Sequence, residues 1–162
     1  MKSAVYAGTF SPFTMGHLDI LSRACALFDR VYVAVLANGE KAPVFTLEER
    51  RDMIAACARA EGLTNVVAET GAGLLVEYMK AKGACTVVRG LRGAADLAYE
   101  SQLDCANRHL LPGFETVCLL AKPELSFLSS SVVREIGAYG GDLDGLVPAA
   151  IKNFIAERLI TR

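Results

Sequence analysis

The chain has 162 residues, of which 52% are hydrophobic and 22% charged, with 17 lysines and arginines against 18 aspartates and glutamates. That length suits one hydrophobic core, so a single domain over residues 1–162 is expected, without a linker. A formal net charge of -1 excludes a whole-molecule attraction to nucleic acid, and charges interrupt every apolar run well short of the ~18 positions a membrane span needs.

The segment MKSAVYAG carries one lysine and no apolar stretch of signal-peptide length, so export is not expected and a cytoplasmic location is. Five cysteines, Cys25, Cys57, Cys85, Cys105 and Cys118, are scattered, with no CxxC and no histidine at metal-ligand spacing. Zinc and a disulfide framework are therefore not expected. Each cysteine lies in an apolar segment, where a buried small hydrophobe is the expectation.

In chain order, an apolar run predicts a strand at 3–8, and a helix follows at 16–28 with Leu18, Leu21, Cys25 and Phe28 on one stripe. A second strand is expected at 31–37. Thr46-Leu47-Glu48-Glu49 is a T-x-x-E capping box that opens a helix carrying Met53, Ile54 and Cys57 inward. Then come a strand at 65–69, a helix at 73–82 stopped by Gly83, a strand at 85–89, a helix at 94–110 and a strand at 114–120. Helices at 130–138 and, after Pro148, at 149–160 close the chain. This alternation, with several strands written as continuous Val/Leu runs, predicts an α/β fold: a doubly wound five-stranded parallel sheet with helices on both faces.

In such a sheet, ligands bind beyond the carboxyl ends of the strands. Four segments with chemistry fall there. His17, in GTFSPFTMGH, stands at the first strand-to-helix turn, either as a helix-start residue bonded only to backbone or as a ligand contact. The second connection carries Lys41, which a solvated surface would explain on its own. Arg89-Gly90-Leu91-Arg92 follows Cys85-Thr86-Val87-Val88, so Arg89 starts near the buried sheet and needs an anionic partner from the protein or from a ligand. Ser126-Phe127-Leu128-Ser129-Ser130-Ser131 precedes a helix; one serine would cap it, and three exceed that need. Hydroxyls and helix-terminal N–H groups together suit phosphate oxygens. One histidine, one lysine, two arginines and a serine-rich helix start at one sheet edge point to a polyphosphate. No GxxxxGK[ST], no GxGxxG and no GxSxG occurs. The other histidine, His109, falls late in a long helix where surface packing is expected.

These segments resemble a known family. TMGH (Thr14 to His17) is similar to the [HT]xGH signature of the nucleotidylyltransferase superfamily, and LSSSVVR (Leu128 to Arg134) to its ISSSxxR-type signature. The ordered set GTFSPFTMGH, FTLEER, RGLR, DLAYE, NRHL and SFLSSS resembles the phosphopantetheine adenylyltransferase family across almost the whole chain. The resemblance implies a Rossmann-like fold and the transfer of AMP from ATP to 4′-phosphopantetheine, giving dephospho-coenzyme A and pyrophosphate. It further implies magnesium, a homohexamer arranged as a dimer of trimers, and feedback inhibition by coenzyme A.

Carried over by motif, Thr9 and Phe10 belong to the turn where ATP and the acceptor approach, and His17 to the α-phosphate contact. Lys41, Leu75 and Arg89, with Thr9, match phosphopantetheine positions. Gly90, Leu91, Arg92, Glu100 and the run Leu125, Ser126, Phe127, Leu128, Ser129, Ser130 and Ser131 match ATP positions. His17, Lys41 and Arg92 would carry the chemistry, and no metal ligand can be named. Two residues depart from the family pattern: Ser11 replaces a usual aspartate, and Leu125 a common tryptophan. A related enzyme, such as a nicotinate mononucleotide adenylyltransferase or a cytidylyltransferase, would share His17 and the serine run but not RGLR and FTLEER; a catalytically silent module binding ATP or coenzyme A is the alternative outside enzymes.

Overall fold

The computed structural model describes residues 1–37 and 43–160. Strands β1 (Ser3–Gly8), β2 (Arg30–Leu36), β3 (Val66–Gly71), β4 (Thr86–Leu91) and β5 (Glu115–Leu120) form one sheet in the order β3-β2-β1-β4-β5, parallel throughout. The crossovers contain α1 (Met15–Leu27), α2 (Leu47–Ala60), α3 (Leu75–Lys82) and α4 (Ala94–Leu110), and α5 (Ser130–Ala138) and α6 (Lys152–Ile160) follow β5. Strand order runs outward from β1 through β2 to β3 and resumes on the other side of β1 with β4 and β5. The topological switch point therefore lies between β1 and β4.

Alternate residues of β1 enter two separate clusters. Ala4 and Tyr6 pack with Leu21, Val33, Ile54 and Ile155, whereas Val5 and Ala7 pack with Ala34, Val76, Met79 and Phe114. Period-2 side chains buried on both faces are what the continuous apolar runs require of a doubly wound sheet. The expected capping box exists as geometry at the start of α2. There the Glu49 N–H donates to Thr46 Oγ1 at 3.1 Å and the Thr46 N–H to Glu49 Oε2 at 2.8 Å.

Element boundaries differ from expectation mainly where strand pairing extends them. β4 continues through Gly90 and Leu91 because these pair with Leu119 and Leu120 of β5, so only Arg92 of RGLR lies past the strand. The last helix begins as a 3-10 turn, Ala149–Ile151, before α6. The expectation of five buried cysteines is corrected: Cys57 is buried and Cys25 partly so, but Cys85, Cys105 and Cys118 are exposed. Cys105 belongs to α4, which has no buried residue, and Cys118 to the edge strand β5. Among the described residues no helix is long and apolar enough to cross a membrane.

Candidate active site

A cavity of about 370 Å³ opens at the β1/β4 switch point. Ala7 and Gly8 end β1 on one side, Arg89 and Gly90 lie on β4, and the starts of α1 and α5 contribute His17 and Ser130. The β1–β4 pairing ends at Tyr6 and Val88, which frees the Ala7 carbonyl to accept from Arg89 Nη1 at 2.7 Å. Gly90 makes the floor possible, because a Cβ there would stand 2.9 Å from Ile20 Cγ1 of α1.

His17 occupies position N3 of α1, opposite the N-cap Thr14. The Thr14 backbone N–H donates to His17 Nδ1 at 3.0 Å, and the His17 N–H donates to Thr14 Oγ1 at 3.3 Å. This is a capping box with imidazole in the place of the usual Glu or Gln. Since Nδ1 accepts, the proton of the neutral ring is assigned to Nε2, leaving an N–H donor for the cavity. Phe13 stacks on the ring (centroids 5.6 Å apart, planes at 30°) and Phe10 meets it edge-on (5.1 Å, 86°), so the ring's orientation is packed from two sides. Burial, with the Arg92 charge adding to it, lowers the His17 pKa to about 4. Imidazole, not imidazolium, is therefore the working form at neutral pH.

The cavity's two arginines are both paired with carboxylates of α4. Arg89 Nε lies 3.1 Å from Glu100 Oε2, yet that buried nitrogen lacks an aligned hydrogen bond. Burial pushes the Glu100 carboxyl above the usual carboxylate range, against the pull of the Arg89 charge. Arg92 is better satisfied: its backbone N–H and its Nε reach Asp96 Oδ2 at 2.9 and 3.2 Å, and this hydrogen bonding holds Asp96 below its ordinary range. A phosphate entering here would have to share or displace a carboxylate at each guanidinium, an exchange that charge-assisted bidentate pairing would favour.

At the start of α5 the hydroxyls are already engaged. Ser129 is the N-cap and accepts from the Val132 N–H at 3.2 Å. Ser130 Oγ donates to the Pro12 carbonyl at 2.7 Å. Arg134 donates to Ser131 Oγ at 3.2 Å and also to the Ser11 carbonyl. The serine run thus ties α5 to the β1–α1 turn, and what the helix start could offer an anion is its first N–H groups and its dipole more than these hydroxyls.

A cytidylyltransferase-like family profile matches residues 5–136. The chain is 45% identical over 158 residues to a phosphopantetheine adenylyltransferase of Carboxydothermus hydrogenoformans, covering 98% of this chain and 96% of that one. It is 43% identical to the Alkaliphilus oremlandii protein of the same name, covering 98% and 99%. The chain belongs to the phosphopantetheine adenylyltransferase family. The solved structure of a Plasmodium falciparum nicotinic acid mononucleotide adenylyltransferase, 14% identical, superposes with a TM-score of 0.66 over 99% of this chain and 96% of that one, which shows a shared Rossmann-like nucleotidyltransferase fold.

Of the positions carried over from the phosphopantetheine adenylyltransferase motifs, the cavity brings together Phe10, His17, Arg89, Gly90, Arg92 and Glu100. Leu125, Leu128 and Ser129 join them from the β5–α5 connection, and Ser130 from the first position of α5. Thr9, Leu91, Ser126, Phe127 and Ser131 lie outside the lining, and Leu75 starts α3 against the second core cluster. Lys41 falls outside the described residues. Of the two departures from the family pattern, Ser11 is buried, stands outside the lining and contributes its carbonyl to Arg134, whereas Leu125 lines the cavity.

Tyr6, Asp96 and Tyr99 also line the cavity and were not singled out from the motifs' chemistry. Asp96 and Tyr99 stand in the DLAYE segment on the same face of α4 as Glu100, a spacing that a helical-wheel reading would have exposed. Tyr6 is a mid-strand residue with no such signal.

Proposed function

We propose that the protein transfers the adenylyl group of ATP to 4′-phosphopantetheine, releasing pyrophosphate and forming dephospho-coenzyme A. The observation that supports this is the meeting of His17, Arg89, Arg92, Glu100 and Ser130 in the lining of one cavity at the switch point, in a chain 43–45% identical over 98% of its length to enzymes named for that activity.

The acceptor phosphate is ionised at neutral pH, so no base is needed, and positioning and charge stabilisation dominate. An acceptor oxygen attacks the α-phosphorus in line. The new bond forms as the bond to the β-phosphate oxygen breaks, and pyrophosphate leaves with the electron pair. His17 donates from Nε2–H to a non-bridging α-phosphate oxygen as charge accumulates, a role for which its neutral form is sufficient. Arg89 holds the acceptor phosphate; Arg92 and the α5 N-terminus hold the pyrophosphate. Lys41 draws the two reacting groups together.

Magnesium belongs to the proposal as the chelate of ATP. Among the described residues no group of three or more His, Cys, Asp or Glu is placed to hold a metal ion, and Asp96 and Glu100 each face an arginine. The donor set therefore does not form a protein cage, and the ion would be carried by phosphate oxygens and water.

The proposal extends to a cytoplasmic homohexamer, a dimer of trimers. Self-association, though not its order, is supported by the 17-residue α4, which buries no residue, and by the exposed Leu97, Tyr99, Leu110 and Leu120 on α4 and β5. Coenzyme A, which combines the pantetheine arm with an adenine nucleotide, would inhibit by filling both subsites. Pyrophosphate release with ATP and magnesium, compared between 4′-phosphopantetheine and nicotinate mononucleotide, tests the acceptor: preference for the nucleotide would overturn it.

A further inference from the structure

Arg50 is 2% exposed, one of only three polar or charged side chains buried this deeply among the described residues. It projects from the first turn of α2, and its guanidinium reaches two separate pieces of backbone. Nε donates to the Phe45 carbonyl at 2.8 Å, and Nη1 donates to the Thr9 carbonyl at 3.2 Å, across 41 positions of sequence. A buried guanidinium held by neutral carbonyls is costly to keep, so its presence calls for a role that packing alone does not supply.

What it holds is a strained turn. Phe10, directly after Thr9, has φ of 48°, a left-handed conformation that is a genuine outlier for a bulky side chain and persists only where the surroundings enforce it. That conformation folds the Phe10 ring back over Gly8, where a Cβ would stand 2.9 Å from the ring. The ring then meets Tyr6 at 5.2 Å and His17 at 5.1 Å, both edge-on. The chain of contacts thus runs from Arg50 to the Thr9 carbonyl, through the strained Phe10, to the His17 imidazole in the cavity lining. The other end of the clamp is itself fixed: Arg158 of α6 donates to the neighbouring Val44 carbonyl at 3.3 Å and pairs with Glu49.

We infer that Arg50 is a positioning residue: its buried guanidinium clamps the Thr9–Phe10 turn in its strained form and thereby fixes the orientation of His17. This rests on the catalytic role proposed for His17 but adds a residue that stands behind the cavity lining, outside it.

The test compares Arg50→Met, which keeps the stem and removes both hydrogen bonds, with Arg50→Lys, whose ammonium can reach one carbonyl. Steady-state kinetics are measured well below the melting temperature, with circular dichroism as the check on folding. Misplacement by about 1 Å costs up to ~10²-fold, so kcat of the folded Arg50→Met protein is expected to fall roughly ten- to a hundredfold, with KM for ATP much less affected and Arg50→Lys in between. If Arg50→Met does not fold, Arg50→Lys carries the same comparison. The ¹⁵N signals of the His17 ring supply a readout independent of turnover: they should move in the variants. Unchanged ring signals together with parental kcat in a folded variant would overturn the inference. Failure of the parent protein itself to use phosphopantetheine would instead count against the proposed function, and the ring signals would still decide the role of Arg50.

Discussion

Replacing His17 by asparagine separates the two jobs of its ring. The Asn side-chain oxygen stands close to where Nδ1 accepts from the Thr14 N–H at 3.0 Å, so the capping contact survives, whereas nothing replaces Nε2–H. Loss of one donor aimed at developing charge costs ~10²–10³ in kcat, about 3–4 kcal/mol of barrier. The stability change is smaller and of different origin. The cap, worth ~1 kcal/mol, is largely retained, and the ring contacts with Phe10 and Phe13, worth about 0.5–1.5 kcal/mol each, are lost. His17→Gln is the counterpart, since its amide nitrogen approximates the position of Nε2 and should recover part of the rate. Pyrophosphate release under saturating substrates gives kcat, and a thermal melt gives the stability. A folded His17→Asn protein whose kcat stays within about threefold of the parent would refute the donor role. So would a His17→Gln protein as slow as His17→Asn.

Other outcomes follow from the same geometry. Because the His17 pKa is lowered to about 4, its titration should leave no inflection in log kcat between about pH 5 and 8, and a limb near 6.5 that disappears in His17→Asn would contradict the assignment. Its effect on stability has a defined sign. Above pH 6.5 the ring is neutral folded and unfolded, and as pH falls from 6.5 to about 4 the unfolded chain gains a proton that the folded chain refuses. Up to about 3 kcal/mol of stability is lost across that window, so denaturant midpoints should drop more steeply there in the parent than in His17→Asn. Arg89→Ala should raise KM for phosphopantetheine at least about tenfold with little change in KM for ATP, and an unchanged acceptor KM would remove Arg89 from that subsite. Gly137→Ala would place a Cβ 2.4 Å from Leu159 Cδ1 where α5 meets α6. The buried Leu159 cannot yield cheaply, so overpacking of ~1–3 kcal/mol outweighs the ~1 kcal/mol gain in helix propensity, and the melting temperature should fall by a few degrees, not rise.

The sequence made the sheet legible because its signals are local. Val/Leu runs, the Thr46–Glu49 box and Gly83 each act within a few residues, and each is found in place. His17 was legible as either a helix-start residue or a ligand contact; the structure shows the first through Nδ1 and places the residue in the cavity lining, where the second becomes a proposal. Arg50 was hidden inside FTLEER, whose capping box accounts for Thr46 and Glu49 but says nothing of a side chain reaching across 41 positions to Thr9. Arg134 to Ser11 and Ser130 to Pro12 are likewise contacts between segments far apart in the chain. The exposed cysteines have the same origin in reverse. Periodicity marks the faces of α4 and β5 as partly apolar but cannot tell whether the chain's own residues cover them.

Direct displacement is the centre of the proposed mechanism, and the stereochemical course at the α-phosphorus tests it most directly. With one diastereomer of ATP carrying sulfur on the α-phosphate, magnesium and 4′-phosphopantetheine, a single in-line attack predicts dephospho-coenzyme A phosphorothioate of inverted configuration. Retention would require two successive displacements through a covalent enzyme adenylate, and would contradict the proposal that the cavity residues only position the two substrates and stabilise charge.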